Sequence, residues 1–248
     1  MITCKSKREL SYMRDAGRVV AQTFVEMAKA AKVGVTTGEL DRLAEDFIIK
    51  RGAKPAFKGL YGFPATICAS VNEEVVHGIP GLRKLKDGDI ISIDIGAEIN
   101  GYFGDSAVTY PVGDVNSEAT RLLKATEEAL CRGISLARAG NRLSDISNAV
   151  QTCAESYGYS VVRDFVGHGI GSSMHEEPQL PNFGKPGRGP RLKEGMTLAI
   201  EPMVNMGAFD VRTLSNKWTV VTLDTKLSAH FEHSVAITDD EPEILTKL

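Results

Sequence analysis

One phrase in this chain is written twice. LKDGDIISID, ending at Asp94, returns as LKEGMTLAIE, ending at Glu201. Around it, AKVG at 31–34 returns as ARAG at 137–140, and the RG at 51–52 returns as the YG at 157–158. VVHGIP around His77 returns as VGHGIG around His168, and DSAVT from Asp105 has a fainter echo in EHSVAIT from Glu232. Each match is short, but all occur in the same order. A chain of 248 residues with such an internal order reads as a single domain, 1–248, with pseudo-repeats at about 8–112 and 117–240. Two α/β halves facing each other across a pseudo-dyad would share one central cleft.

Each half reads as helix, helix, then strands. Leu10, Met13, Gly17, Val20, Phe24, Met27 and Ala31 share a helical stripe over 7–31. A break at Val33–Gly34 leads to Thr37 as the cap of a second helix, which runs to about Lys50 and closes on Gly52. ATICASV (65–71) and the segments 89–99 and 102–110 read as strands, and 117–137 and 144–157 as helices. The remainder is β-rich: VVRDFV, MTLAIEP, KWTVVTL and HFEHSVAIT.

The 89–110 stretch, DIISIDIGAEINGYFGDSAVTY, contains two carboxylates in an apolar pattern. Asn100–Gly101 is a type I′ hairpin signal, so Ile99 faces Tyr102 and Asp94 faces Ala107. Asp105 then lies on the same face as Asp94, a diagonal neighbour at roughly 7–8 Å, while Ile91, Ile93, Ile95 and Ile99 form the core face. An amphipathic hairpin with two solvated aspartates would read the same way. The repeat tips the balance, because it returns Glu201 at the place of Asp94 and Glu232 at the place of Asp105, both among apolar neighbours. His168, flanked by glycines, adds one imidazole. Four carboxylates and one histidine make a hard, oxygen-rich donor set suited to two divalent first-row metals.

The order Asp94, Asp105, His168, Glu201, Glu232 occurs within VNEEVVHGIPG, GDIISIDIGA, GYFGDSAVTY, VGHGIGSSMHEEPQ and GMTLAIEPM. Together these strings resemble the methionine aminopeptidases of the pita-bread metallopeptidase family, over essentially the whole chain. No helical insertion separates Glu201 from Glu232 and no zinc-finger extension precedes the domain, as in the type I, bacterial members. The resemblance implies an α+β pita-bread fold, two pseudo-symmetric α/β halves with a central curved antiparallel sheet and outer helices. It implies a single catalytic domain that removes initiator methionine from nascent chains, preferring a small second residue. The five residues named would be metal ligands for two ions (Co, Mn, Fe or Zn). Glu201 would also accept the proton of the attacking water, His175 would bond the scissile carbonyl, and His77 would contact the substrate near the new amine. Phe57, Leu60, Phe63, Cys68 and Trp218 would line the methionine pocket, with Phe57, Leu60 and Met174 departing from some members. A monovalent cation on backbone oxygens at Asn72, Glu74 and Ser228 and a contact with the ribosome are further features that the resemblance allows, and the expected state is a monomer.

His230 and His233 flank Glu232. His230-Phe-Glu232 spells the start of a two-histidine, one-carboxylate iron site, but the only later histidine, His233, falls on the wrong strand face, so both read as structural. The formal charge of −3 and pI near 6.0 argue against nucleic-acid or membrane binding by bulk electrostatics. Four scattered cysteines read as reduced thiols, and MITCKSKRELSYMRDAG lacks the apolar stretch of a signal peptide, so a cytoplasmic protein is expected.

Overall fold

The computed structural model describes residues 2–248. Four long helices, α1 (Lys7–Ala30), α2 (Thr37–Lys50), α3 (Ser117–Ser135) and α4 (Leu143–Ser156), flank a nine-stranded sheet whose pairings are all antiparallel. Along its path the sheet runs from Lys54–Pro55 through Ile90–Ile99, Tyr102–Pro111, Glu232–Ala236, Thr197–Ile200 and Gly167–Gly169 to Glu176–Leu180. Ile67–Val71 adds to Ile90–Ile99, and Glu243–Ile244 to Glu232–Ala236. This is the expected α+β architecture of outer helices on a central antiparallel sheet.

The hairpin forms in the expected register. Asn100 and Gly101 have φ of 53° and 79°, the two left-handed residues a type I′ turn requires, and Asp94 faces Ala107. The face opposite the aspartates is apolar: Ile91, Ile93 and Ile95 pack with Val19, Val20, Phe24 and Met27 of α1 and with Leu40, Ala44 and Ile48 of α2. A second cluster joins Leu122, Ala129 and Leu130 of α3 and Ile146 and Val150 of α4 to Leu198, Ile200 and Val235.

Two local readings are corrected. The cap of α2 is Thr36, one residue before the expected Thr37. Its hydroxyl accepts from Glu39 N–H at 3.2 Å, and Glu39 Oε2 accepts from Thr36 N–H at 2.7 Å. The three-residue spacing of a capping box selects this pair, and Thr37 turns inward to Gly81 instead. VVRDFV is not one strand: only Ser160–Val161 pairs, on Val204 and Asn205, and the chain then turns toward Gly167.

α1 lies so close to the hairpin at Gly104 that only glycine fits there, while a Cβ on Gly17 would instead strike the main chain at Leu245. A Cβ on Gly104 would stand 2.7 Å from Gly17 N and 2.9 Å from Gly17 Cα. Gly104→Ala is expected to push the helix off the sheet and lower stability by about 1–3 kcal/mol, read as a lower Tm by calorimetry. An unchanged Tm would mean that the helix moves freely at this crossing.

Candidate metal centre

The expected ligands lie on two neighbouring rungs of the sheet, on one face. On the first rung Cys68 pairs with Asp94, Asp94 with Ala107 and Ala107 with Glu232; Glu201 follows directly after Ile200, which pairs with His233. On the second, Gly96 pairs with Asp105, whose main chain is clasped by Ser234, and Ser234 pairs with Ala199, which pairs with His168. The clasp is reciprocal: Asp105 N–H donates to Ser234 Oγ at 3.0 Å, and that hydroxyl donates to Asp105 O at 2.8 Å. Directly opposed residues and those two apart share a face, so the acidic side chains converge. Gly96, Ala107, Ala199 and Ser234 sit between them and leave room.

One oxygen or nitrogen each from Asp105, His168 and Glu232 lies within 4.8 Å of the others. His168 Nε2 is 3.6 Å from Glu201 Oε1 and 3.8 Å from Asp105 Oδ2. Its other nitrogen, Nδ1, bonds the carbonyl of Gly169 at 2.8 Å, which makes Nδ1 the protonated atom and turns a lone pair on Nε2 toward the carboxylates. Burial holds His168 down at about 4, so the ring is neutral near pH 7.

The carboxylates are shifted the opposite way. Burial raises Asp105 to about 7. It pushes Asp94, Glu201 and Glu232 well above the usual range, helped by the charges they present to one another. Asp94 Oδ1, Asp105 Oδ1 and Glu232 Oε1 are buried with no hydrogen-bond partner among the described residues. Buried acceptors left bare each cost about 1–3 kcal/mol, and cations between them would satisfy all three. The donor set therefore fits divalent metal ions.

Beside the cluster is a cavity of about 290 Å³. Its polar end is formed by Asp94, Asp105, His168, Glu201 and Glu232 with His77 and His175, and its apolar end by Phe57, Leu60, Phe63, Cys68 and Trp218. The five expected ligands, the two expected catalytic histidines and the five expected methionine-pocket residues thus line one cavity. Burial and the neighbouring charge of Asp94 raise the Cys68 thiol well above its ordinary value, so it stays protonated and acts as an apolar wall. Trp218 packs edge-on to Phe63 at 5.1 Å. Met174 lies behind this slot, 3% exposed in the same apolar cluster, and does not line it. A more open groove of about 630 Å³ between α3 and α4 holds no comparable cluster.

The two histidines expected to be catalytic take different supports. His77 has φ 59°, a left-handed conformation costly for a non-glycine residue, and its ring meets Phe165 and Trp218 edge-on. Although VVHGIP and VGHGIG match in letters, His77 follows a short strand, Glu74–Val76, paired to Val220–Thr222 in a separate three-stranded sheet, whereas His168 lies in the large sheet. His175 sits 4.5 Å from His168, ring centre to ring centre, on a loop closed by Glu176, which accepts from Ser173 N–H at 3.1 Å and from Lys5 Nζ at 2.5 Å.

Two residues add to the sequence reading. Tyr61, 77% exposed with φ 50°, lines the cavity and stacks on His175 at 5.8 Å. The left-handed glycines on either side, Gly59 and Gly62, are its only local signal. His230, read as structural, is 2% exposed and turns Nε2 toward Glu201 and Glu232. His233 faces away: its Nδ1 lies 2.9 Å from Thr246 Oγ1 and 3.3 Å from Ser106 Oγ, so the two-histidine iron motif does not assemble. Asn72 and Ser228 are joined by a bond from Ser228 N–H to Asn72 O at 2.9 Å, near Glu74 on the adjoining strand.

A buried carboxylate–imidazole cluster on a sheet of this topology is the site of a metallopeptidase, and the sequence profile of metallopeptidase family M24 matches residues 11–239. The chain belongs to that family. It is 59% identical over 248 residues to methionine aminopeptidase 1 of Bacillus subtilis, covering 100% of both chains. The crystal structure of methionine aminopeptidase from Rickettsia prowazekii superposes with a TM-score of 0.98 at 42% identity, covering 99% of this chain and 100% of that one. The prolidase from Pyrococcus horikoshii shares the fold, with a TM-score of 0.80 at 22% identity, but this chain spans only 63% of it.

Proposed function

We propose that this enzyme removes N-terminal methionine from nascent polypeptides, with Asp94, Asp105, His168, Glu201 and Glu232 holding two divalent metal ions and a preference for a small second residue. The observation that carries this reading is the uncharged slot opening directly onto the carboxylate cluster in one cavity. Bound there, the metals would supply Lewis acidity for the scissile carbonyl and a nucleophile at neutral pH. Glu201 would hold a proton at its carboxylate and pass it to the leaving amine. His175 donates to the developing oxyanion, and His77 contacts the peptide beside the new amine. Phe57, Leu60, Phe63, Cys68 and Trp218 pack around the methionine side chain.

Residues 1–248 act as one catalytic domain of two pseudo-repeats, about 8–112 and 117–240. In support, the strands carrying Asp94 and Asp105 and those carrying Glu201 and Glu232 are neighbouring antiparallel pairs, joined by Ala107 and Glu232. Asn72, Glu74 and Ser228 are the proposed corner for a monovalent cation. Among the described residues no helix is long and apolar enough to cross a membrane, and we place the enzyme in the cytoplasm as a monomer working on chains leaving the ribosome.

The test is kcat/KM for Met-, Nle-, Leu-, Lys- and Glu-Ala-Ser peptides and for Xaa-Pro peptides, with saturating Mn²⁺ or Co²⁺ and with EDTA. Methionine is expected first and norleucine next, since norleucine loses only the sulfur contact. Apolar competitors should differ by about 10–200-fold per methylene. Lysine and glutamate should fall further, because each buries an unpaired charge. Cleavage of the lysine or glutamate peptide within tenfold of the methionine peptide would remove the slot from the substrate site, and preference for Xaa-Pro would make the enzyme a prolidase.

A further inference from the structure

Glu201 lies between two imidazoles. Its Oε1 faces His168 Nε2 at 3.6 Å, on the side where the lone pairs converge, and its Oε2 faces His230 Nε2 at 3.8 Å. The same His230 nitrogen is 3.9 Å from Glu232 Oε2. His230 is 2% exposed, and its Nε2 has no hydrogen-bond partner among the described residues. The main chain around it is fixed, because His230 N–H donates to Thr109 Oγ1 at 2.9 Å and that hydroxyl donates to His230 O at 2.8 Å. Pairing of His230 with Met203 fixes the strand from the other side.

A rigid, buried imidazole nitrogen facing two acidic side chains and bonded to neither is a site with a role still to be filled. We propose that His230 is a positioning residue: its Nε2–H donates to Glu201 Oε2, with Glu232 Oε2 as the second acceptor, and orients both glutamates for metal binding. This rests on the reading of Glu201 and Glu232 as metal ligands. Two observations favour an outer partner over a sixth ligand. The Glu201 oxygen that faces His230 is the one turned away from His168, and His168 already presents the lone pair the cluster needs. An N–H to a carboxylate in a dry setting is a charge-assisted bond, stronger than a neutral one. Partners of this kind typically account for 10–100-fold in metal affinity.

The experiment is calorimetric titration of metal-depleted protein with Mn²⁺, comparing wild type with His230→Ala, His230→Leu and His230→Gln, alongside the visible spectrum of each Co²⁺ form. His230→Ala and His230→Leu should bind Mn²⁺ about 10–100-fold more weakly. His230→Gln, whose amide N–H can reach the same oxygen, should recover most of that loss, and its Co²⁺ bands should keep the wild-type positions. His230→Leu fills the site without a donor, so it carries the comparison if His230→Ala fails to fold. Wild-type affinity in the leucine variant, or a glutamine variant as weak as the leucine one, overturns the donor role. Shifted Co²⁺ bands in His230→Gln would make His230 a direct ligand and overturn it too. If wild type itself takes up no Mn²⁺, the metal reading fails as well, and the two failures are distinct.

Discussion

Asp105→Asn is expected to lose bound metal and activity together and to leave the metal-free protein more stable than wild type. Asp105 is 4% exposed and is one of the three residues whose donor atoms gather within 4.8 Å. Asparagine keeps the shape but contributes no charge to balance a divalent ion. Losing several kcal/mol of metal-derived stabilisation corresponds to a fall of at least about 10³-fold in kcat/KM for Met-Ala-Ser. Stability moves the other way. Burial raises Asp105 to about 7, so between an unfolded value near 4 and that point the folded chain binds the extra proton. Stability therefore falls as pH rises through this window and stays lower above it. Asparagine has no proton to lose, so EDTA-treated Asp105→Asn should exceed EDTA-treated wild type at pH 8 by on the order of 4 kcal/mol, and the gap should close near pH 4. The buried histidines around the site, His77 and His168 at about 4 and His230 at about 3, oppose folding only on the acid side and are common to both proteins. Added Mn²⁺ should reverse the order, raising wild type by mass action and leaving the variant where it was. Calorimetry at both pH values, with and without Mn²⁺, reads all four states. A variant that binds Mn²⁺ and cleaves at the wild-type rate would take Asp105 out of the metal site.

Much of this centre is legible in the amino-acid sequence, for a physical reason. A two-residue Asn-Gly turn sets the register of everything on both sides of it, so the placement of Asp94 opposite Ala107 follows from local chemistry alone. Carboxylates inside apolar runs at Asp94, Glu201 and Glu232 stand out because burying them without partners is costly. What stays hidden depends on pairings between distant strands. Nothing near His230 in the chain says that its strand will pair with Met203 and turn the ring onto Glu201 and Glu232, so a structural role is the natural reading of its letters. Tyr61 reaches the cavity only because three left-handed residues, Gly59, Tyr61 and Gly62, bend the chain back over His175. The letters around His77 and His168 match, yet His168 lies in a strand of the large sheet and His77 just after a strand of a separate one, because short shared strings do not fix the strand partner. Thr36 and Thr37 are both good caps, and only the reach of Glu39 decides between them.

Loss of the His175 ring should show the opposite pattern from loss of Asp105: His175→Ala is expected to lower kcat by about 10²–10³, with Mn²⁺ affinity and KM close to wild type. The ring lies edge-on to His168 with centres 4.5 Å apart, inside the cavity but outside the acidic cluster, and Tyr61 stacks on it. Its loop is held independently of any ligand, through Glu176 to Ser173 and to Lys5, so removing the side chain leaves the backbone path intact. Burial lowers the pKa of His175, which keeps the ring neutral through the working range. A neutral imidazole still carries one N–H, and a single donor aimed at charge that develops only in the transition state affects kcat far more than ground-state binding. Because the lowered value keeps the ring uncharged, its own titration should not appear between pH 7 and 9, and the variant should keep the wild-type shape of the rate profile there. His175→Gln, which restores an N–H of similar reach, should recover part of the loss, while Tyr61→Ala should cost less than His175→Ala because it removes a packing partner and no donor. The measurements are kcat and KM for Met-Ala-Ser at saturating Mn²⁺, with metal content determined on the same samples. If His175→Ala comes off the column without metal, the ring is a ligand. If kcat holds and only KM rises, it binds the ground state, and the oxyanion must be met by another group in the cavity.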